Sequence, residues 1–275
     1  MILIDGVQAS AVAVTDRGLQ YGDGVFETCA VRDRRIEYWP EHVARLQAGC
    51  ERLGFPAPHA DLLRAEAERV LEDVEGRAVL KIIVTRGSGG RGYRPPRMPE
   101  PRRILSVYPF PEYPPRFATQ GVVLHACRTA AVEHPALVGI KHLNRLPQVL
   151  ARAEWDHPGI PEGLMCDTDG RPVEGTQSNL FVVQDGVLHT PDLSRVGVAG
   201  IIRARVLAMA GDLGLPYRIE NLPPNVLDRV DEVFVCNSVI GIWPVIALES
   251  RRWPVGPLTR QLQTALEAER SCRVG

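Results

Sequence analysis

The chain has 275 residues, a formal net charge of -1 and 24% charged residues, with both signs mixed along its length. No basic stripe marks it for nucleic acid or an anionic membrane surface, and no apolar run approaches a membrane span, so the expected ligand is a small molecule. The start Met1-Ile-Leu-Ile-Asp-Gly6 lacks the features of a secretion signal, and six cysteines without C-x-x-C spacing read as reduced, mostly buried thiols, which predicts a cytoplasmic protein.

In chain order, Asp5-Gly6 predicts a hairpin turn, and the apolar run Val25–Val31 followed by Asp33-Arg34 and Ile36–Tyr38 predicts a second. Pro40 suits a first helical turn, with His42, Leu46, Gly49 and Leu53 on one face of a helix ending near Gly54. A second helix is expected from Ala60 to about Val74, then strands over Val79–Arg86 and Arg103–Pro109. The cluster Pro109, Pro111, Pro114 and Pro115 reads as an interdomain linker. Beyond it strands are expected at Gly121–Cys127, Gly163–Asp167, Asn179–Val183 and Val187–Thr190. The turns Asp169-Gly170 and Asp185-Gly186 join the last three into an antiparallel meander. Helices at about Gly200–Leu213 and Leu258–Glu269 and a strand at Glu232–Cys236 complete the pattern, which is α+β with hairpins dominating.

Of the thirty-two basic residues only Lys81 and Lys141 are lysine. Arginine replaces lysine as a solvated charge but stays protonated and cannot serve as an amine nucleophile, so each retained lysine is a candidate for amine chemistry. Lys81 lies inside the apolar run Arg77–Arg86 and reads as a strand residue with its stem along the sheet. Lys141 ends the apolar segment Ala136–Ile140 just before a helix-like stretch, where desolvation favours the neutral amine that a Schiff base needs.

Gly87-Ser-Gly-Gly-Arg-Gly92 satisfies G-x-G-x-x-G but runs into Tyr93-Arg-Pro-Pro-Arg-Met-Pro99 instead of opening a helix, which rejects a dinucleotide fold. It reads as a lid whose Arg91, Tyr93 and Arg94 offer donors to carboxylates, or else as a plain hairpin tip. Val196-Gly-Val-Ala-Gly-Ile-Ile-Arg203 is a glycine-rich entry to a helix, suited either to phosphate or to an ordinary turn. Cys236-Asn-Ser238 is a second candidate anion loop, and Arg45 a candidate charge for it. No G-x-S-x-G elbow, H-E-x-x-H or zinc-spaced Cys/His cluster is present, so no metal is expected.

A lysine, then a glutamate in an E-G-T turn (Glu174-Gly-Thr176), then a G-x-x-G-I helix start resembles the fold-type IV pyridoxal phosphate enzymes, the class IV aminotransferase family. Arg86–Tyr93 and Gly139–Leu146 look most like the aminodeoxychorismate lyases of that family, and Val173–Leu180 is equally close to its D-amino-acid aminotransferases. The resemblance implies pyridoxal 5'-phosphate as cofactor and a homodimer. It implies a small α/β N-terminal domain over 1–115, a linker over 116–122 and a larger strand-rich domain over 123–275 carrying the lysine. By the same resemblance Lys141 is the Schiff-base lysine and proton shuttle, and Glu174 pairs with the pyridine nitrogen. Arg45, the backbone amides of Ile201 and Ile202, and the Asn237-Ser238 loop hold the phosphate, with Arg91, Tyr93 and Arg94 binding substrate. The activity implied is conversion of 4-amino-4-deoxychorismate to 4-aminobenzoate and pyruvate, as in folate biosynthesis, or else transamination of D- or branched-chain amino acids.

Overall fold

In the computed structural model, which describes residues 1–272 apart from the Cys272 side chain, the chain opens with the expected hairpin. The expectation of a buried thiol at Cys272 therefore lies outside the described residues. β1 (Ile2–Ile4) turns into β2 (Val7–Gln8) through Asp5 and Gly6 at φ 51° and 78°, the left-handed pair that a two-residue turn between twisted strands requires. α1 (Arg17–Tyr21) follows, capped by the Asp16 carboxylate, which accepts from the backbone N–H groups of Gly18 and Leu19. β3 (Gly24–Arg32) then reverses into β4 (Arg35–Ile36) through Asp33 and Arg34, again both left-handed.

α2 (Trp39–Leu53) starts on Pro40 and stops at Gly54, and its buried stripe of His42, Val43, Leu46, Gly49 and Cys50 packs on β3. α3 (Ala60–Val70) ends before the expected Val74: the N–H of Leu71 bonds to the carbonyls of both Ala67 and Glu68, closing the last turn as Leu71 enters the core. β5 (Arg77–Thr85) and β6 (Arg102–Pro109) complete an antiparallel sheet of order β2-β1-β6-β5-β3-β4. Alternate residues Val25, Cys29, Val31, Leu80, Ile82, Val84 and Leu105 face the helices and form one core with Leu46, Leu63 and Ala67.

These elements make up the first of two units, Met1–Pro111 together with Ile140–Asn144. The division falls at Pro111, ahead of the expected boundary after 115, and the segment expected to be a linker is instead ordered structure. α4 (Arg116–Thr119) and the start of β7 (Val122–Ala126) occupy it, because Phe117 is buried in the second unit's core. The lysine segment also differs from expectation. Ile140–Asn144 belongs to the first unit because its backbone is tied to β3: Phe26 N–H donates to Lys141 O (2.8 Å) and Leu143 N–H to Gly24 O (2.9 Å).

The second unit continues with α5 (Leu146–Arg152), β8 (Glu162–Cys166), β9 (Pro172–Gly175), β10 (Asn179–Gln184), β11 (Val187–Pro191), α6 (Ile201–Asp212) and β12 (Tyr217–Glu220). After a short 3-10 turn come β13 (Glu232–Asn237), β14 (Gly241–Leu248), β15 (Arg251–Arg252) and α7 (Pro257–Cys272). The predicted meander is corrected here. β8 pairs with β9, not β10, and β9 in turn pairs with β10 through Asn179 opposite Glu174. That contact closes the ring β10-β13-β14-β7-β8-β9 into a six-stranded barrel, with β11 and β12 extending outward from β10 and β15 paired to β14. The β14–β7, β7–β8 and β11–β12 pairs are parallel, which the hairpin-based reading did not anticipate. Leu180, Val182, Val233 and Val235 enter the main core, while Phe181 and Phe234 on the opposite face stack with centroids 4.9 Å apart.

Candidate active site

Lys141 is positioned by the backbone bonds to β3 and by Asn144, whose side-chain amide donates to Gly22 O at 3.0 Å. Its Nζ lies 4.5 Å from the centroid of the Phe26 ring, within cation–π range. The second lysine, read from the sequence as a background strand residue, is on β5 as expected but lies against the same ring, with Nζ 5.6 Å from the centroid.

Arg45 sits on α2, one helical turn after His42. α2 approaches β3 closely because Gly49 has no side chain: a Cβ there would fall 2.9 Å from Val25 Cγ1. The approach creates a buried ionic cluster that sequence reasoning missed. Glu27, on the core face of β3, accepts from Arg45 Nε at Oε1 (2.8 Å) and from Arg45 Nη2 at Oε2 (2.6 Å), and His42 Nδ1 lies 2.6 Å from the same Oε2. Burial alone would push the Glu27 carboxyl up, but Arg45 and His42 together draw it down to about 2. Burial likewise opposes the charge on Arg45, and Glu27 more than offsets this, raising its pKa. Cys29, two residues along the same strand face, is pushed well up by burial and then by Glu27, so its thiol is inert. The available signal was a glutamate among the inward-facing residues of an apolar strand, which demands a charged partner once buried.

In the second unit, Glu174 lies on β9, paired with Met165 of β8 and Asn179 of β10, and not in an open turn. It is 5% exposed and accepts from the N–H of Val198 at 2.9 Å. The loop that supplies this donor is fastened on both sides: Gly139 N–H donates to Gly197 O, Ala199 N–H to Gly139 O, and the Asn179 amide to Val198 O at 2.8 Å. It leads into α6 at Gly200, where no side chain caps the helix, so the N–H groups of Ile201 and Ile202 have no partner within it. Only glycine fits at 200, since a Cβ would lie 1.9 Å from Asn179 Oδ1.

A second missed carboxylate, Glu162 at the start of β8, organises the turn that follows Glu174. It is 1% exposed and accepts from the N–H groups of Gly163, Thr176 and Gln177 and from the hydroxyls of Thr176 and Ser178. Here burial wins over these hydrogen bonds and the carboxyl is raised. Of the second anion loop, Asn237 works as a turn former: its Oδ1 accepts from Val239 and Ile240 N–H, and its Nδ2 donates to Gln177 O. Ser238 O accepts from Arg270 Nη2 at 3.2 Å.

The glycine-rich loop spans the connection from β5 to β6 and is held by its backbone. The buried Arg17 donates to Gly92 O (3.2 Å) and Tyr93 O (3.0 Å), and Tyr21 meets the Tyr93 ring edge-on at 5.4 Å. The Arg91, Tyr93 and Arg94 side chains are exposed, Tyr93 by 85%. Among the described residues, no hydrogen bond or ring contact joins these three side chains to Lys141 or Arg45.

The sequence model of the class IV amino-transferases matches residues 24–248. The chain is 51% identical to a 4-amino-4-deoxychorismate lyase structure from Pseudomonas aeruginosa, covering 98% of each chain with a TM-score of 0.94. It is 35% identical to the aminodeoxychorismate lyase of Vibrio harveyi, over 96% of this chain and 98% of that one. It is 30% identical to the D-alanine aminotransferase of Bacillus licheniformis, over 94% and 91% of the two. With the lysine, the buried carboxylate on β9 and the uncapped helix start all lying within the matched region, the chain belongs to the class IV aminotransferase family.

Proposed function

We propose that the protein is a pyridoxal phosphate-dependent lyase that converts 4-amino-4-deoxychorismate to 4-aminobenzoate and pyruvate. The observation that carries this reading is the end-to-end likeness to the Pseudomonas lyase, higher in identity than the likeness to the D-alanine aminotransferase reported above. The side chains present fit the cofactor. Glu174 is a buried carboxylate aligned by a backbone amide, suited to a protonated pyridine nitrogen. The N–H groups of Ile201 and Ile202 at the uncapped start of α6 suit a phosphate, and the family resemblance would add Arg45 and the Asn237-Ser238 loop as its holders.

When bound, pyridoxal phosphate supplies an electron sink for the bond-breaking step. Lys141 Nζ would hold the cofactor at rest and then move protons, taking one from the ring carbon that bears the substrate nitrogen and delivering one to the enolpyruvyl methylene. Its backbone tie to β3 fixes where the amine can reach. Glu174 would keep its partner nitrogen protonated through both transfers, and Arg91, Tyr93 and Arg94 are candidates for the substrate carboxylates. Elimination that ends in an aromatic ring needs no second substrate, whereas transamination needs a keto acid to restore the cofactor.

The reading includes a homodimer acting in the cytoplasm. α5 supports the first: Leu146, Val149 and Leu150 are 73%, 60% and 60% exposed, an apolar stripe at helical spacing suited to a second copy. The five described cysteines are all free thiols, in keeping with the second. Among the described residues no helix is long and apolar enough to cross a membrane.

Incubation with aminodeoxychorismate in the absence of any keto acid tests the reaction. Equal amounts of 4-aminobenzoate and pyruvate over many turnovers are expected. Turnover only after a keto acid is added, with activity on D-alanine, would replace the lyase with the aminotransferase reading that Val173–Leu180 also suits.

A further inference from the structure

The two lysines of this arginine-rich chain converge on one phenyl ring, yet only Lys141 has a role in the reading above. Lys81 lies in the middle of β5, half-buried, and among the described residues its ammonium has no hydrogen bond and no acidic partner. A half-buried ammonium without an acidic partner is free to meet a ligand's negative charge. Its neighbours across the sheet are hydroxyls. Thr28 on β3 and Ser106 on β6 are directly opposite Lys81 in register, so the three side chains form a row on the sheet face away from α2 and α3. Neither hydroxyl has a hydrogen-bond partner among the described residues. Phe26, one step along the same face of β3, bridges this row to Lys141.

We propose that Thr28, Lys81 and Ser106 form a carboxylate-binding row beside Lys141, with Lys81 as the specificity-determining cation for a dicarboxylate substrate. This rests on the lyase reading, whose substrate carries two carboxylates and must present its amine to Lys141. An ammonium with two hydroxyls in cross-strand register offers donors to both oxygens of a carboxylate, and the Phe26 ring adds an apolar surface for the carbocycle of the substrate. Lysine suits such a row: its compact ammonium on a flexible stem can turn toward a ligand, whereas a guanidinium imposes a planar fork.

The test uses the holoenzyme and chorismate, which has both carboxylates but a hydroxyl in place of the reacting amine and so binds without turnover. Lys81→Met keeps the apolar stem and removes the charge, and is expected to weaken chorismate binding roughly 10- to 100-fold. Lys81→Arg should recover part of that loss, while cofactor content and the visible band stay as in the wild type. Chorismate affinity in Lys81→Met within about threefold of wild type would overturn the proposal. So would a shifted visible band with unchanged affinity, which would assign Lys81 to the protonation of Lys141. If the wild type neither binds chorismate nor turns over aminodeoxychorismate, the lyase reading fails instead. The same titration with 2-oxoglutarate then reads the row alone: loss of its affinity in Lys81→Met supports the row, and no loss overturns it.

Discussion

Glu27 in the first unit and Glu162 in the second are both buried glutamates, and the protein treats them in opposite ways. Glu27 is met by the Arg45 guanidinium and the His42 ring, and its carboxyl falls to about 2. Glu162 is met only by backbone N–H groups and hydroxyls, and its carboxyl is raised. The difference shows that full burial alone does not fix the direction in which a carboxyl shifts; a guanidinium partner reverses it where neutral donors do not. It also separates two ways of building a site. The first unit stores charge beneath Arg45, while the second uses a carboxylate as a hub for backbone amides to shape the turn after Glu174.

Replacing each glutamate by glutamine tests this contrast, and the larger effect belongs to Glu27. Glu27→Gln leaves Arg45 buried without its counter-charge and should cost about 3–5 kcal/mol in urea unfolding. Glu162→Gln keeps the shape and much of the hydrogen bonding, so a loss of about 1–2 kcal/mol is expected. Equal losses would break the comparison.

The acid limb of the stability profile sharpens it. Glu27 is depressed below its unfolded value, so its contribution is complete above about pH 4.5 and is lost as pH falls toward about 2. Glu162 is raised, so the folded state holds its proton longer and its contribution declines as pH rises through that higher value. Unfolding measured from pH 2 to 6 should therefore show a shallower acid loss in Glu27→Gln and a steeper one in Glu162→Gln. The smallest effect is assigned to the exposed pair Arg64–Glu68 on α3: Arg64→Ala should change stability by less than about 0.5 kcal/mol, despite a 2.6 Å ion pair.

Much of this molecule is legible in the amino-acid sequence where the cause is local. The Asp5-Gly6 and Asp185-Gly186 turns, the Pro40 start and Gly54 stop of α2, and the glycine-led entry to α6 all follow from backbone preferences of the residues themselves. The order of Lys141, Glu174 and the α6 start carries the family. What stays hidden has its cause far along the chain. β9 is four residues long in a turn-rich stretch and exists because β8 and β10 flank it. The partners of Glu27 lie on a different element, as do most of those of Glu162, and neither residue belongs to a motif. Lys141 joins the first unit through hydrogen bonds to β3, more than a hundred residues earlier. Lys81 looked like filler because a strand pattern does not reveal which residues share its face across three strands.

The central claim is that Lys141 alone carries the cofactor, and a chain with two lysines makes the measurement unambiguous. The protein with pyridoxal phosphate bound is reduced with borohydride, digested, and its peptides mapped by mass spectrometry. The expected result is loss of the visible band with the phosphopyridoxyl mass on the peptide containing Lys141 and an unmodified Lys81. Label on Lys81, or none on either lysine, would contradict it.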